Sequence, residues 1–221
     1  MRIRAILIFG GSLLVVLTFT YSYWSTVFTA QTTTVSFPGL SEAENHVFQL
    51  LSSEQKNAFL NLSEQDSLMA LEMVRAALQP NTIVPAELQS LPEMLAPIEL
   101  AFGEFIAIDA VRWASGNLIL YQEVDETKLL RLENFRSAPA PNLQVYLSIA
   151  PLEDAEEPTM MAEWDEWSLQ DPYIELGPLK GTMGNQNFVI APEVDIEQFS
   201  LVVIYNATYD LLISAAPLRF N

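Results

Sequence analysis

The side chains that most often perform chemistry in proteins are scarce in this chain. It contains no cysteine and a single histidine, His46. The absence of cysteine excludes disulfides, thiolate metal sites, iron–sulfur ligation and cysteine nucleophiles. One histidine excludes a His-rich zinc or copper site, and its position excludes every catalytic design that needs a histidine in the C-terminal half. We therefore expect a surface helix position for His46, no catalytic residue, no metal ligand, no bound cofactor and no enzyme activity.

Carboxylates are the abundant reactive groups, with 28 acids against 10 bases and a formal net charge of −18. So many acids always place some pair close together, and no spacing signature here marks a pair for acid–base catalysis. The negative field repels phosphates, which excludes nucleic acid as a partner of the soluble part. The same field favours solubility and would attract cations or basic segments.

The densest group of acids lies in residues 151–171, which hold eight acids, no base, two methionines and two tryptophans. Long ordered loops between strands often have a use. This loop either binds a cation or a basic protein segment, or is solvated with Trp164 and Trp167 folded back onto the neighbouring strands. The spacing of an EF-hand is not present.

The first 30 residues predict a membrane anchor. Arg2 and Arg4 precede a largely apolar run at residues 5–28, which as a helix would cross a hydrocarbon core of about 30 Å. No Lys or Arg follows until Lys56, so the positive-inside bias keeps the N-terminus cytoplasmic and exports the rest of this single-pass chain. A cleaved signal peptide is the alternative, but Phe28 would then stand where a small residue is needed. Either way, the C-terminal part lies outside the cytoplasm.

Residues 31–98 predict a linker followed by short helices, which form a stalk or a small bundle. Ser41 and Glu44 have the spacing of a capping box and predict the start of a first helix. Further helices are predicted to begin at Ser53 and Ser63, before a proline-rich stretch ends the helical pattern.

Residues 99–221 change to short β-rich runs separated by turn residues, which predicts an antiparallel β-sandwich or partly closed barrel that folds alone. Hairpin turns are predicted at 115–117 and 125–126, and positive φ angles at Gly177, Gly181 and Gly184. The fold class is thus mainly β, preceded by one transmembrane helix and a small α-helical region. The predicted strands are 103–109, 111–115, 117–123, 128–135, 142–149, 173–176, 186–191, 199–206 and 210–219.

Nine short blocks from residue 102 onward carry a family resemblance. They are Gly103–Phe105, Gly116 with Leu118–Tyr121, Leu130–Phe135, Pro141–Leu143, Val145–Ser148, Leu176–Gly181, Gly184–Phe188, Phe199–Tyr205 and Ser214–Leu218. In this order the chain over residues 102–221 resembles the DM-thirteen domain, a module often found beside DOMON domains and in Skeletor-type proteins.

The resemblance implies a β domain proposed to transfer electrons through a nearly invariant cysteine, which follows an aromatic residue in the penultimate strand. Here Tyr205 matches the aromatic residue and Asn206 stands in the place of the cysteine. An amide neither cycles through oxidised sulfur states nor offers a thiolate to a metal. The family's histidine and aspartate are replaced at Arg112-Trp113 and Asn142. We therefore predict a non-catalytic module that binds an unknown protein or small ligand, with electron transfer as the alternative.

Electron transfer without the thiol would need other carriers. Tyr121, Tyr146, Tyr205 and Trp113 could pass electrons in principle, and packing in a β core is the simpler interpretation of all four. Haem ligation would need His46, a methionine or a tyrosine, and none of these is in a haem-binding motif.

The anchor gives the first testable prediction. The full-length chain should stay in the membrane fraction after carbonate or high-salt washing, because residues 5–28 would bury a spanning apolar helix. The measurement is immunoblotting of the washed membranes with mass spectrometry of the N-terminus. A mature N-terminus near Gln31 would contradict the anchor and identify a cleaved signal peptide.

Overall fold

The computed structural model describes residues 36–149, 168–169 and 171–221. The predicted anchor lies outside these residues, as does most of the acidic segment 151–171. Within the described part, no helix is both long enough and apolar enough to cross a membrane. Residues Ser36–Asn221 make up one compact unit.

Short helices open this unit, and side chains cap the first three. They are α1 (Glu42–Phe48), α2 (Ser53–Gln65), α3 (Ser67–Ala77) and the single turn α4 (Ala86–Gln89). The predicted capping box of α1 is confirmed, because the Ser41 hydroxyl accepts the Glu44 backbone N–H and the Glu44 carboxylate accepts that of Ser41. The predicted start at Ser63 is wrong. Ser63 lies in the last turn of α2, and Asp66 caps α3 by accepting the backbone N–H groups two and three residues on.

In the described residues, ten strands form two separate five-stranded sheets, and every strand pair within them is antiparallel. Sheet A has the order β10-β1-β3-β4-β7, and sheet B has the order β2-β9-β8-β5-β6. The division into two sheets confirms the sandwich and not the barrel. The strands are β1 (Ile98–Glu104), β2 (Ile106–Ala107), β3 (Ala114–Gln122), β4 (Lys128–Ser137), β5 (Leu143–Ser148), β6 (Tyr173–Pro178), β7 (Gln186–Ile190), β8 (Leu201–Asn206), β9 (Leu211–Pro217) and β10 (Arg219–Phe220).

Two predicted strands each divide between the sheets. The predicted strand 103–109 becomes the end of β1 in sheet A and β2 in sheet B, with Phe105 between them. The predicted strand 210–219 likewise divides into β9 in sheet B and the start of β10 in sheet A. The β-rich pattern is continuous in both places, but the chain crosses from one layer to the other at the sandwich edge.

The predicted hairpin at residues 115–117 is wrong, because Gly116 lies within β3. Its φ of 113° and the register shift between Ser115 and Asn117 mark a β-bulge opposite β4. A Cβ at Gly116 would lie 2.6 Å from the carbonyl oxygen of Glu133, so only glycine fits. The other predicted turn is confirmed, since β3 and β4 are joined by a tight turn with Glu126 at a φ of 67°.

The glycine-rich connection between β6 and β7 agrees with the prediction at two of three positions. Gly177 and Gly184 have φ angles of 115° and 117°. Gly181 does not adopt a positive φ. It is confined by space instead, because a Cβ there would lie 2.8 Å from the Thr82 carbonyl oxygen and 2.9 Å from the Val84 nitrogen. This connection therefore packs directly against the segment that precedes α4.

The helices share one hydrophobic core with the sandwich. Phe48 packs between Phe37 and Phe59 with tilted rings, whose centroids are 5.4 Å and 6.4 Å away. These rings and Met73 of α3 belong to the same buried cluster as the inward side chains of both sheets, such as Leu118. The helical region is thus part of the core, whereas the predicted domain boundary near residue 98 and the folding of 99–221 alone stay predictions.

The shared core gives a stability prediction. In a fragment of residues 36–221, Phe48→Ala should lower the free energy of unfolding by about 3–5 kcal/mol, because it leaves a cavity among buried rings. Helix content at 222 nm and near-ultraviolet circular dichroism should report the same transition. Leu50→Ala, at a residue that is 76% exposed, is the control and should change the free energy of unfolding by less than about 0.5 kcal/mol. Helices that melt in a separate, earlier step would contradict the shared core and favour a boundary near residue 98.

Candidate functional site

Asn206, at the position where the resemblance leads us to expect a cysteine, is the last residue of the buried strand β8. Side chains alternate along a strand, so Asn206 faces the same side as Val202 and Ile204, towards the space between the sheets. Its backbone is opposite Leu143 of β5 and Leu211 of β9, in the middle of sheet B. Its side chain is fully buried.

Both the oxygen and the nitrogen of the Asn206 amide make contacts. Its Oδ1 accepts the backbone N–H groups of Thr208 and Tyr209 at 3.0 Å and 3.3 Å, which closes the turn between β8 and β9. Its Nδ2 lies 3.7 Å from the Sδ atom of Met73, a weak acceptor on helix α3. The amide therefore holds the hairpin turn and joins it to the helical layer, so this position serves structure.

Asn142, at the position where the resemblance leads us to expect an aspartate, belongs to the same network. Its carbonyl oxygen accepts the backbone N–H of Ala207 at 3.3 Å, and its Nδ2 donates to the Thr208 hydroxyl at 3.2 Å. It has a φ of 45°, a conformation that asparagine tolerates better than most residues. Sequence positions 142 and 206 thus meet at one end of sheet B.

Arg112, the third departure, lies elsewhere and closes a turn. Its guanidinium Nε is 2.6 Å from a carboxylate oxygen of Asp109, and the other oxygen of Asp109 accepts the backbone N–H groups of Val111 and Arg112. The predicted strand at 111–115 is therefore wrong over its first three residues, since this turn precedes β3. Trp113, the neighbouring residue, is half-buried against the core.

Tyr205 faces the opposite side of β8 from Asn206. A register shift between Ile204 and Tyr205 marks a bulge in the pairing of β8 with β9. The Tyr205 hydroxyl donates a hydrogen bond to the carboxylate of Asp210 and accepts the backbone N–H of Leu169 at 3.4 Å. Burial and, next, the bond to Asp210 raise the pKa of the phenol well above its usual value, so it is protonated at neutral pH.

Three tyrosines form a row on this outer face of sheet B. Tyr146 of β5 makes an edge-to-face contact with Tyr205, with ring centroids 6.0 Å apart, and another with Tyr173 of β6 at 5.7 Å. Exposure falls along the row from 43% at Tyr173 to 6% at Tyr146 and 2% at Tyr205. Burial, followed by the charge of Glu175, raises the pKa of the Tyr146 phenol. The row therefore runs from the protein surface to a buried phenol.

The other candidate residues are not brought to this place. His46 is exposed on α1, as predicted, and Tyr121 lies on β3 of the other sheet. Burial raises the pKa of the Tyr121 phenol, followed by the charges of Glu99 and Glu133. Among the described residues, no three His, Cys, Asp or Glu side chains are grouped closely enough to hold a metal ion.

Sequence reasoning missed Asp210 and Met73. Asp210 follows Tyr205 by five residues across a tight turn and has a φ of 53°. The short gap between the predicted strands 199–206 and 210–219 was the available signal for this turn. Met73 contacts Asn206 from a helix 133 residues earlier, and nothing in the local sequence indicates that contact.

Comparisons with known proteins agree with the resemblance seen in the sequence. A family model described as "Electron transfer DM13" matches residues 105–218. No curated protein and no solved structure gives a significant match.

The amide network gives a prediction. Asn206→Ala should lower the free energy of unfolding by about 1–3 kcal/mol, because the turn loses the acceptor for two backbone N–H groups. The measurement is urea unfolding of the variant and the parent under identical conditions. Asn57→Ala, at an exposed position of α2, is the control, since alanine favours a helix and should change stability by no more than about 0.5 kcal/mol. Equal stability of the Asn206 and control variants would show that the amide has no structural role.

Proposed function

The chain belongs to the DM13 family, and from that membership we propose that it is an electron-transfer module, held outside the cytoplasm by its N-terminal anchor. The observation that carries the proposal is the extent of the match. It runs from Phe105, between β1 and β2, to Leu218, between β9 and β10, and so includes nearly the whole sandwich. The family description names electron transfer, and the residues that it matches form most of this sandwich.

In this chain the group that carries the electron must be one other than a thiol. The chain has no cysteine, and the position that corresponds to the family's thiol is an asparagine whose amide is engaged by the turn and by Met73. An amide of this kind has no accessible redox state. Any carrier that belongs to the chain itself must therefore be an aromatic side chain.

The tyrosine row supports an aromatic carrier. Two contacts of about 6 Å between ring centroids connect the half-exposed Tyr173 to the buried Tyr205. A partner that docks at the exposed end would reach the buried end through ring-to-ring contacts only. The negative charge of Glu175 beside Tyr146 favours loss of an electron from that ring.

A second candidate function is a non-catalytic binding module, which the structural use of Asn206 favours. A chain that keeps the fold and replaces the thiol with a fully engaged amide would have exchanged redox chemistry for stability. A polar cleft between α2 and the turn before β3, lined in part by Asn61, Gln65 and Asp109, is a place where a small polar ligand would fit.

Protein-film voltammetry of the full-length chain separates the two candidates. The electron-transfer proposal predicts a one-electron wave in the folded chain at the high potential of an aromatic side chain. It predicts none in the range of protein dithiol couples, about −270 to −120 mV. The urea-unfolded film is the positive control for electrical contact, because buried tyrosines such as Tyr146 and Tyr205 then become accessible to irreversible oxidation. A folded film without a wave, beside an active unfolded film, would contradict electron transfer and leave the binding module.

A further inference from the structure

Loss of an electron from a phenol demands a place for its proton. The oxidised phenol is a strong acid, so oxidation is favourable only where a base accepts the proton as the electron leaves. The base must lie within hydrogen-bond distance of the hydroxyl, as for any general base. A redox-active tyrosine is therefore one whose hydroxyl donates a hydrogen bond to a carboxylate or an imidazole.

Tyr205 meets this requirement through its hydrogen bond to Asp210. Tyr205 lies in the core and is 2% exposed, whereas Asp210 lies in the turn and is exposed to solvent. A proton received by Asp210 is thus already at the surface. Of the other tyrosines that the structure describes, Tyr121, Tyr146, Tyr173 and Tyr209, none donates a hydrogen bond to the carboxylate of another described residue.

We propose that Tyr205 is the redox-active residue of this chain and that Asp210 is its proton acceptor; this inference rests on the proposed electron-transfer function. In the oxidation step the phenol gives one electron to the oxidant and its O–H bond breaks. The proton moves to the Asp210 carboxylate, which becomes a neutral carboxylic acid, and Tyr205 becomes a neutral phenoxyl radical. Reduction reverses both transfers, so the step balances in electrons and protons.

The electron tunnels towards the surface through the packed rings of Tyr146 and Tyr173, neither of which is itself oxidised. The Tyr205 ring has an edge-to-face contact with Tyr146 at 6.0 Å, and Tyr146 has another with the half-exposed Tyr173 at 5.7 Å. The final oxidant must be strong enough to oxidise a phenol, and the class that we name for it is a high-valent metal–oxo centre of a partner protein, such as a ferryl haem. The acidic chain would favour docking of a partner with a basic surface around that centre.

Two further features fit a stored radical. The Tyr205 ring is packed in an apolar cluster with Val203, Leu212 and Ala215, which keeps solvent reductants away. Burial and the Asp210 hydrogen bond raise the phenol's pKa, so the ring does not ionise before oxidation and the proton moves with the electron.

The test uses a photogenerated ruthenium(III) polypyridyl oxidant on the full-length chain, with electron paramagnetic resonance and transient absorption as readouts. The parent chain should yield a tyrosyl radical that persists after exposed residues have been re-reduced. Tyr205→Phe keeps the ring and its packing but should abolish the persistent signal. Asp210→Asn keeps the turn, because asparagine tolerates the φ of 53°, and should slow radical formation by about 100-fold.

Tyr209→Phe is the matched control, since it removes a neighbouring hydroxyl that has no carboxylate partner among the described residues, and it should behave like the parent. Circular dichroism of each variant establishes that it is folded. A persistent radical and an unchanged voltammetric wave in folded Tyr205→Phe would overturn this inference while electron transfer by the chain stood. The absence of a wave and of a radical from the parent and all variants would overturn the proposed function together with it.

Discussion

The alternation of side chains along β8 is the constraint on which the rest of the structure depends. Neighbours β5 and β9 hold this strand in the middle of sheet B, so successive residues must face opposite sides. Asn206 is therefore buried between the sheets beneath α3, and Tyr205 is buried in the outer cluster beside Tyr146. Two residues adjacent in sequence occupy separate environments, and the chemistry of one can change without disturbing the other. An amide instead of the thiol that the resemblance leads us to expect at position 206 therefore leaves the tyrosine row on the far face in place.

The helical layer explains why an amide suits position 206 here. The end of the sandwich at this position is covered by α3, whose Met73 lies against the Asn206 amide, and by the turn of residues 207–210. A buried polar group is tolerated only when its hydrogen bonds are made, and the two N–H groups of the turn satisfy the amide oxygen. Asn142 extends this network to the start of β5. The departures at 142 and 206 thus act together, as parts of one hydrogen-bonded turn, and contribute to holding the helices on the sheets.

The sequence predicts most of this fold because its signals are local. The capping box at Ser41 and the strands around Leu130 and Val203 each follow from a few adjacent residues. Some errors are local, because Asp66 and Asp109 form a helix cap and a turn close to the mispredicted residues. Others arise where a local signal competes with a distant partner. Gly116 has the composition of a turn, but pairing with β4 makes it a bulge inside a strand. The tyrosine row depends on the register of three strands, and the contact of Tyr205 with Asp210 depends on a bulge. Residue type and spacing alone fix neither of them.

If the chain transfers electrons without sulfur, as proposed, its oxidised state must reside on a tyrosine. The most direct measurement is electron paramagnetic resonance of the oxidised full-length chain, prepared once with ordinary and once with ring-deuterated tyrosine. Deuterium couples to the unpaired electron far more weakly than hydrogen does. The account predicts that the spectrum of the persistent radical narrows on deuteration. A persistent radical whose spectrum is unchanged by deuterated tyrosine would place the oxidised state on another group and contradict the account.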